Sequence, residues 1–285
     1  MKRLLKSESL SIGLAMFAMF FGAGNIIFPL ALGQYAGDKN FFAIIGLIIT
    51  AAVMPMIGII AMILFDGDYR SFFGRLGKYP GLLLALFMIS LLGPLGSTPR
   101  CIVLAYSTLK MAFLDFNLPT FSAISCLIIY IFTMKQKNIL KLLGWVLTPL
   151  LLLSLLLIIL IGLFTGSESK IVEHSNMQMF LHGLNEGYNT MDLLAAFFFS
   201  STIITILKIR FQEKNENKSY FKTAMQASVI GASLLTLVYI GFSYIAAFHG
   251  NELSHLANEE LLSAMTIKIA GPYAGILICI AIALA

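Results

Sequence analysis

The sequence predicts an all-α integral membrane protein of about eight transmembrane helices, and three observations carry that expectation. Apolar residues make up 59% of the 285 residues and charged residues only 12%, against roughly 25% charged in an ordinary soluble domain. Uncharged apolar runs of about 20 residues, the length that crosses a hydrocarbon core, recur with polar punctuation between them. The lysines and arginines fall on alternate connections, as they do in membrane proteins with a fixed orientation. A soluble chain of this composition would lack the polar surface to cover its core. In a bilayer, apolar surface can face outward.

Helix 1 is expected at roughly 9–36. The start Met1-Lys2-Arg3-Leu4-Leu5-Lys6 resembles the basic region of a signal peptide, but 29 uncharged residues follow from Ser9 to Gly37. That is too long for a signal core, so the segment is expected to stay in the membrane. Helix 2 is expected at 41–65, helix 3 at 79–109, helix 4 at 118–134 and helix 5 at 139–164. Helix 6 follows at 179–207, helix 7 at 221–248, and helix 8 from 268 to the end. Turn residues such as Gly37-Asp38-Lys39-Asn40 and Asn117-Leu118-Pro119 separate them. With the amino terminus in the cytoplasm, 14 lysines and arginines fall on the cytoplasmic side and 4 on the outer side, with Arg100 inside helix 3. The net charge of +5 therefore reports orientation, and a nucleic-acid partner is excluded. Cys101, Cys126 and Cys279 lie far apart in apolar runs, with neither metal-ligand nor disulfide spacing.

Two of these helices depart from a plain membrane span. Helix 1 carries Phe21-Gly22-Ala23-Gly24-Asn25-Ile26-Ile27-Phe28-Pro29, whose glycines, asparagine and proline weaken a helix near its middle. Helix 6 has only 15 uncharged residues, Leu193 to Leu207, preceded by Gly183-Leu184-Asn185-Glu186-Gly187-Tyr188-Asn189-Thr190-Met191-Asp192. Non-helical backbone at membrane depth persists only where protein or a water-filled cavity satisfies it. Helix 6 would open a second five-helix unit of opposite direction, so the two interruptions occupy matching places in inverted halves. Such pairs mark the binding site of a secondary transporter. Free amides of half-helices suit a substrate carboxylate, and freed carbonyls suit a small cation. The plainer reading of the glycines is close helix packing.

Individual residues divide accordingly. Asn25 follows the glycines, where its amide could ligate a cation, meet a carboxylate or cap the helix. Asn189 and Thr190 have the same readings in helix 6. Asp192 stands at capping-box spacing from Asn189, so it is read as a cap or an ion ligand. Glu186 lies nearer the outer surface. Arg100 is a charge within a membrane helix, a functional candidate that can also snorkel. Arg100 and Glu186 are expected at similar depth as parts of an outer gate or its scaffold, with Asp192. Tyr188, Phe20, Phe21 and Phe197-Phe198-Phe199 could wall an apolar side-chain pocket. The leucine spacing of 251–262 suggests short amphipathic helices over the outer face, with His249 and His255 solvated.

Phe20 through Pro29 is similar to the helix 1 signature of the branched-chain amino acid:cation symporters, the BrnQ-type carriers of bacteria. Glu186-Gly187-Tyr188-Asn189-Thr190-Met191-Asp192, followed by Leu193-Leu194-Ala195-Ala196, resembles their helix 6 signature. Gly93-Pro94 with Pro99-Arg100 resembles the helix 3 motif, although Gly96-Ser97-Thr98 departs from the bulkier residues expected there. The resemblance runs from about residue 7 to the last residue. It implies a leucine-transporter-like inverted-repeat fold of the APC superfamily in a single transmembrane domain, with a first repeat over 1–164 and an incomplete second over 165–285. It implies uptake of leucine, isoleucine or valine across a bacterial cytoplasmic membrane with sodium or a proton, and no other cofactor. The substrate-binding candidates are Gly22, Ala23, Gly24, Asn25, Tyr188, Asn189 and Thr190, with Asn25 and Thr190 the candidate sodium ligands. The family normally continues to about twelve helices, whereas this sequence stops within helix 8. The expectation is therefore that the polypeptide inserts but does not transport alone, unless a second polypeptide supplies the remaining helices.

Two other classes stay in view. A membrane enzyme would need a metal cluster or nucleophile motif, and neither His-Glu-x-x-His nor Gly-x-Ser-x-Gly occurs. A non-transporting amino-acid-binding protein needs only the two broken helices, and counterflow in proteoliposomes separates it from a carrier.

Overall fold

A computed structural model describes residues 2–110, 117–134, 148–166, 169–213, 219–253, 257, 258, 260–269, 271 and 275. Those residues are helical apart from short connections, and no strand occurs among them. In order the helices are α1 (Lys2–Phe20), α2 (Gly24–Ala36), α3 (Asn40–Ile48), α4 (Met54–Leu64), α5 (Tyr69–Gly74) and α6 (Lys78–Leu92). They continue with α7 (Ser97–Lys110), α8 (Leu118–Thr133), α9 (Thr148–Phe164), α10 (Asn176–Asn189), α11 (Asp192–Glu213) and α12 (Ser219–Leu253). A further helical stretch covers 261–269.

Helix 1 is divided as its glycines predict: α1 ends at Phe20, Phe21 to Ala23 are non-helical, and α2 starts at Gly24. Helix 6 is divided at Thr190 and Met191, between α10 and α11. Two further interruptions escaped the sequence reading. Helix 2 contains a π-turn over Ile49–Val53 between α3 and α4. Helix 3 is broken by the turn 93–96 between α6 and α7. There the Leu95 amide reaches back to the Ser90 carbonyl at 3.0 Å and the Thr98 amide to that of Gly93 at 3.2 Å, because Pro94 has no N–H of its own to give.

Among the described residues three helical stretches, Gly24–Leu64, Lys78–Lys110 and Phe221–Gly250, are long and apolar enough to cross a membrane, with shorter apolar helices at Ser9–Phe20, Leu118–Ile131 and Leu151–Phe164. Leu82, Leu83, Leu86 and Phe87 on α6, and Ile124, Leu127 and Tyr130 on α8, point outward, the arrangement a lipid solvent permits. The start of helix 5, His255, Cys279 and nearly all of helix 8 lie outside the described residues.

The main core joins α1, α2, α3, α4, α9, α11, α12 and the 261–269 stretch. The first broken helix lies along α12, and the second lies along α3 and α4. The first broken helix thus packs on helix 7, and the second on helix 2. Glycines bring these pairs together, as the packing reading of small residues requires. A Cβ on Gly33 would collide with the Ser243 carbonyl, one on Gly183 with that of Ala43, and one on Gly46 with that of Phe180.

Connections meet at each end of the bundle. The turn after α2 holds the segment before α10: the Asp38 amide donates to the Lys170 carbonyl at 3.0 Å, and Lys39 Nζ donates to that of Val172 at 2.8 Å. At the other end Lys208 pairs with Asp66 at 3.1 Å. Within the leucine-rich outer segment Leu261 and Leu262 turn into the core, and His249, expected solvated, is instead buried with its ring nitrogen 3.2 Å from the Gly162 carbonyl. The apolar side chains of 261–269 gain more by joining the core than by covering a polar rim.

Candidate functional site

The two breaks face each other. A Cβ on Gly24 would stand 3.2 Å from the Thr190 carbonyl oxygen, 3.2 Å from Arg100 Nη1 and 3.4 Å from the Phe28 ring. Glycine at 24 is therefore what lets the start of α2 approach the turn between α10 and α11. Gly22 differs. A Cβ there would meet only Asn25 Oδ1, at 3.6 Å, so helix packing does not account for it. Gly24 is the first residue of α2, where an amide has no intrahelical acceptor.

Asn25 ties the first break together. Its Oδ1 accepts the Gly22 amide at 2.8 Å, closing the non-helical turn on itself. Its Nδ2 faces the other way and donates to both Asp192 carboxylate oxygens at 2.9 Å. The same nitrogen contacts the Tyr239 hydroxyl, and that hydroxyl donates to Asp192 Oδ2. Asn25, Asp192 and Tyr239 are all buried, Asp192 at 3% exposure and Tyr239 at none.

The second break is made differently. Thr190 and Met191 join the two half-helices, with Met191 at a φ of +63°, a conformation that L side chains seldom adopt. Thr190 Oγ1 donates to the Gly187 carbonyl at 2.8 Å and accepts the Asp192 amide at 3.4 Å. The Asn189 carbonyl accepts Arg100 Nη1 at 3.0 Å, while the Arg100 guanidinium lies 4.8 Å over the Phe28 ring. Helix 3 is thus anchored to both breaks at once.

Placement of the sequence candidates is mixed. Gly22, Ala23, Gly24, Asn25, Asn189, Thr190, Arg100 and Asp192 come together. Tyr188 does not join them, being 71% exposed. Glu186 stands beside His182 at 3.8 Å and forms no ion pair with Arg100. The expected capping box at Asn189–Asp192 is absent, because the Asp192 side chain is turned to Asn25 and Tyr239; the box stands at Ser175 and Gln178, where α10 begins. Phe197 and Phe198 belong to an aromatic cluster with Tyr69, Phe72 and Phe73, whereas Phe20 and Phe199 meet edge to face at 6.2 Å.

Sequence reasoning missed Tyr239. A hydroxyl midway along an apolar helix was its only signal, and Tyr244 and Ser243 share that signal in the same run. It also missed the π-turn, which brings Ala51 and Ala52 to a cavity of about 10 Å³ shared with Phe20, Pro55 and Asp192. That volume holds about one water. Toward the connection expected outside, a cavity of about 680 Å³ is lined by Tyr35, Lys170, His174, His182 and Glu186 among others. No group of acids, histidines and cysteines able to hold a metal occurs among the described residues.

Comparison with known proteins follows the same lines. A model described as "branched-chain amino acid transport protein" matches residues 5–285. The branched-chain amino acid permease BraB of Bacillus subtilis (strain 168) is 29% identical over 286 aligned residues, covering 98% of this chain and 64% of that protein. Putative branched-chain amino acid carrier proteins of Staphylococcus aureus strains USA300 and NCTC 8325 are each 31% identical over 247 residues, covering 82% of this chain and 54% of theirs. The chain thus spans less than two thirds of the length of these relatives.

Proposed function

Because this chain belongs to the branched-chain amino acid transport protein family, a family of transporters rather than enzymes, we propose that it serves as a secondary carrier, or as a portion of one, for leucine, isoleucine and valine in a bacterial cytoplasmic membrane. In this reading its amino terminus is cytoplasmic and substrate enters with a cation, either sodium or a proton. The fold is a leucine-transporter-like pair of inverted repeats. The reciprocal packing, first broken helix on α12 and second broken helix on α3 and α4, supports it, since that exchange is what two like halves require.

The observation that carries the proposal is the meeting of the two breaks, with Gly24 against the Thr190 carbonyl and Asn25 bonded to Asp192. The Gly24 amide at the start of α2, a position without an intrahelical acceptor, suits an amino acid carboxylate. Gly22 and Ala23 leave backbone there for the substrate, and Asn189 and Thr190 face it from the second break. The apolar side chain would be received by residues such as Phe20 and Phe199. Opening is required first, since the adjoining cavity of about 10 Å³ is far smaller than a leucine.

Binding of tritiated leucine to the purified protein in detergent or nanodiscs tests this reading, with isoleucine, valine, glutamate and lysine as competitors. Displacement by the branched-chain amino acids alone is the expected result. Equal displacement by all four, or no leucine binding, would overturn it. Repeating the measurement with sodium replaced by choline, and across pH, separates the two cations.

A further inference from the structure

Arg100 is a half-buried cation within the long apolar stretch Lys78–Lys110, and it stands where the two breaks meet. Its Nη1 donates to the carbonyl of Asn189, the last residue of α10, at 3.0 Å. The same nitrogen lies 3.2 Å from the position that a Cβ on Gly24 would take. The guanidinium lies 4.8 Å over the ring of Phe28, one turn further along α2. A ring face and a carbonyl thus fix the plane of the group, while only one of its five N–H donors is bonded. Among the described residues the Asn189 carbonyl is the one acceptor it reaches, and no acid pairs with it.

The acids near the second break are engaged elsewhere. Glu186 stands beside His182 at 3.8 Å, and Asp192 takes the Asn25 amide and the Tyr239 hydroxyl. A charge in a membrane helix is costly unless an opposite charge meets it. The carbonyl end of α10 answers part of that cost, as a helix C-terminus does for any cation. A carbonyl occupies one donor, however, whereas a guanidinium presents a planar fork. Carboxylates match that fork with two parallel bonds, the strongest pairing open to it. Gly24, whose amide suits the same group, is the neighbour on the other side, and the lack of a side chain there keeps the guanidinium beside the start of α2.

We propose that Arg100 receives the carboxylate of the transported amino acid, so that the carrier selects α-amino acids over amides and amines with the same side chain. Before substrate arrives, the Asn189 carbonyl and the Phe28 ring hold the guanidinium in place. With substrate, its unused N–H groups take the carboxylate, and helix 3 joins the ligand to both breaks. This inference rests on the carrier reading above and names the side chain that recognises the carboxylate at that site.

Ligand-induced thermal shifts, titrated in detergent, give affinities for leucine, leucinamide and isoamylamine, and the unliganded melt reports whether a variant folds. The parent protein should prefer leucine over the other two at least about thirtyfold, the effect of a hydrogen-bonded charge pair. Arg100→Gln should weaken leucine and leave leucinamide unchanged, and Arg100→Lys, a charge without the fork, should keep part of the preference. A cation that merely closes the end of α10 would weaken all ligands alike when removed. Equal affinities in the parent, equal weakening in Arg100→Gln, or a preference that survives that substitution would each overturn the proposal.

A second measurement needs neither a variant nor leucine binding. Phenylglyoxal modifies arginine side chains, and its reaction at Arg100 of the parent protein is followed by mass spectrometry. Isocaproate, which has the side chain and carboxylate of leucine, should slow that reaction about tenfold at about ten times its Kd, by mass action. Chloride should not slow it. Equal protection by chloride, none by isocaproate, or an Arg100 closed to the reagent without any ligand would also overturn the proposal. If isocaproate protects Arg100 but leucine does not bind, the carrier reading fails while the carboxylate site stands. If leucine binds and its preference survives Arg100→Gln, the carrier reading stands and this inference fails.

Discussion

The two breaks solve one problem in opposite ways. In the first, the backbone leaves the helix where side chains are missing: Gly22 has open space, Gly24 has neighbours at 3.2 Å, and Asn25 ties the loose turn through the Gly22 amide. In the second no glycine stands in the break. Met191 is held at a positive φ between a threonine bonded to the preceding turn and an aspartate bonded to Asn25 at the first break. The first is a place made by omission, the second a conformation held by hydrogen bonds. A glycine break fails when atoms are added, and a pinned break fails when bonds are removed.

Four substitutions break or sharpen that contrast, in descending order of expected effect. Asn25→Ala strips a partner from the Gly22 amide and from both Asp192 oxygens. It should lower the stability of the purified protein by about 2–4 kcal/mol, the cost of leaving buried groups unpaired beside a charge-capable acid. Differential scanning fluorimetry in detergent reads it, and a loss no greater than that of Thr190→Val would mean that Asn25 does not join the breaks. Gly24→Leu adds atoms where the neighbours stand at 3.2 Å. An overpacking cost of about 1–3 kcal/mol should weaken leucine binding at least about tenfold by calorimetry. Unchanged affinity would remove the first break from the site.

Met191→Gly should do the reverse at the second break. Removing the side chain relieves a left-handed residue and should stabilise the fold by about 1 kcal/mol; a fall in stability would show that the Met191 side chain holds the turn against Gly96. The smallest effect is a control away from both breaks. Asp68 caps α5 by accepting the Arg70 amide at 3.0 Å, and the Ser71 hydroxyl bond holds its carboxyl below the usual carboxylate value. A depressed carboxyl stabilises above its unfolded pKa, and that contribution is lost as pH falls through the folded value. Asp68→Ala should cost about 0.5–1 kcal/mol at neutral pH, less in acid, without changing leucine affinity.

The sequence disclosed the first break more fully than the second. Glycine, asparagine and proline in a membrane helix announce a local change of backbone, and α1 ends at Phe20, where the stretch carrying them begins. The second was found as a polar, shortened span, but its geometry rests on Met191, a residue with no turn propensity of its own. The π-turn at 49–53 and the turn at 93–96 were missed for related reasons. Ile49 to Val53 carries no breaker at all, and Gly93-Pro94 was weighed as a motif rather than as an interruption. Tyr239 became part of the site only through the packing of α12 on α2, a long-range contact that one helix's pattern does not contain. His249 lies in the core although its polar neighbours suggest a wet loop, because the apolar side chains around it decide burial.

The contact of α3 with α10 has a mechanical meaning. At Gly46 and Gly183 the two backbones touch without side chains between them, and beyond them α4 and α11 run together as a second pair, with Gly58 facing the Leu193 and Ala196 side chains. Each strand of this double rod is interrupted at one level, α3 from α4 by the π-turn and α10 from α11 by Thr190 and Met191, and Thr50 of the former bonds to the Leu184 carbonyl of the latter's upper half at 2.9 Å. The π-turn and the Thr190–Met191 break thus stand at one level of the bundle, where Ala51 and Ala52 line the same small cavity as the buried Asp192.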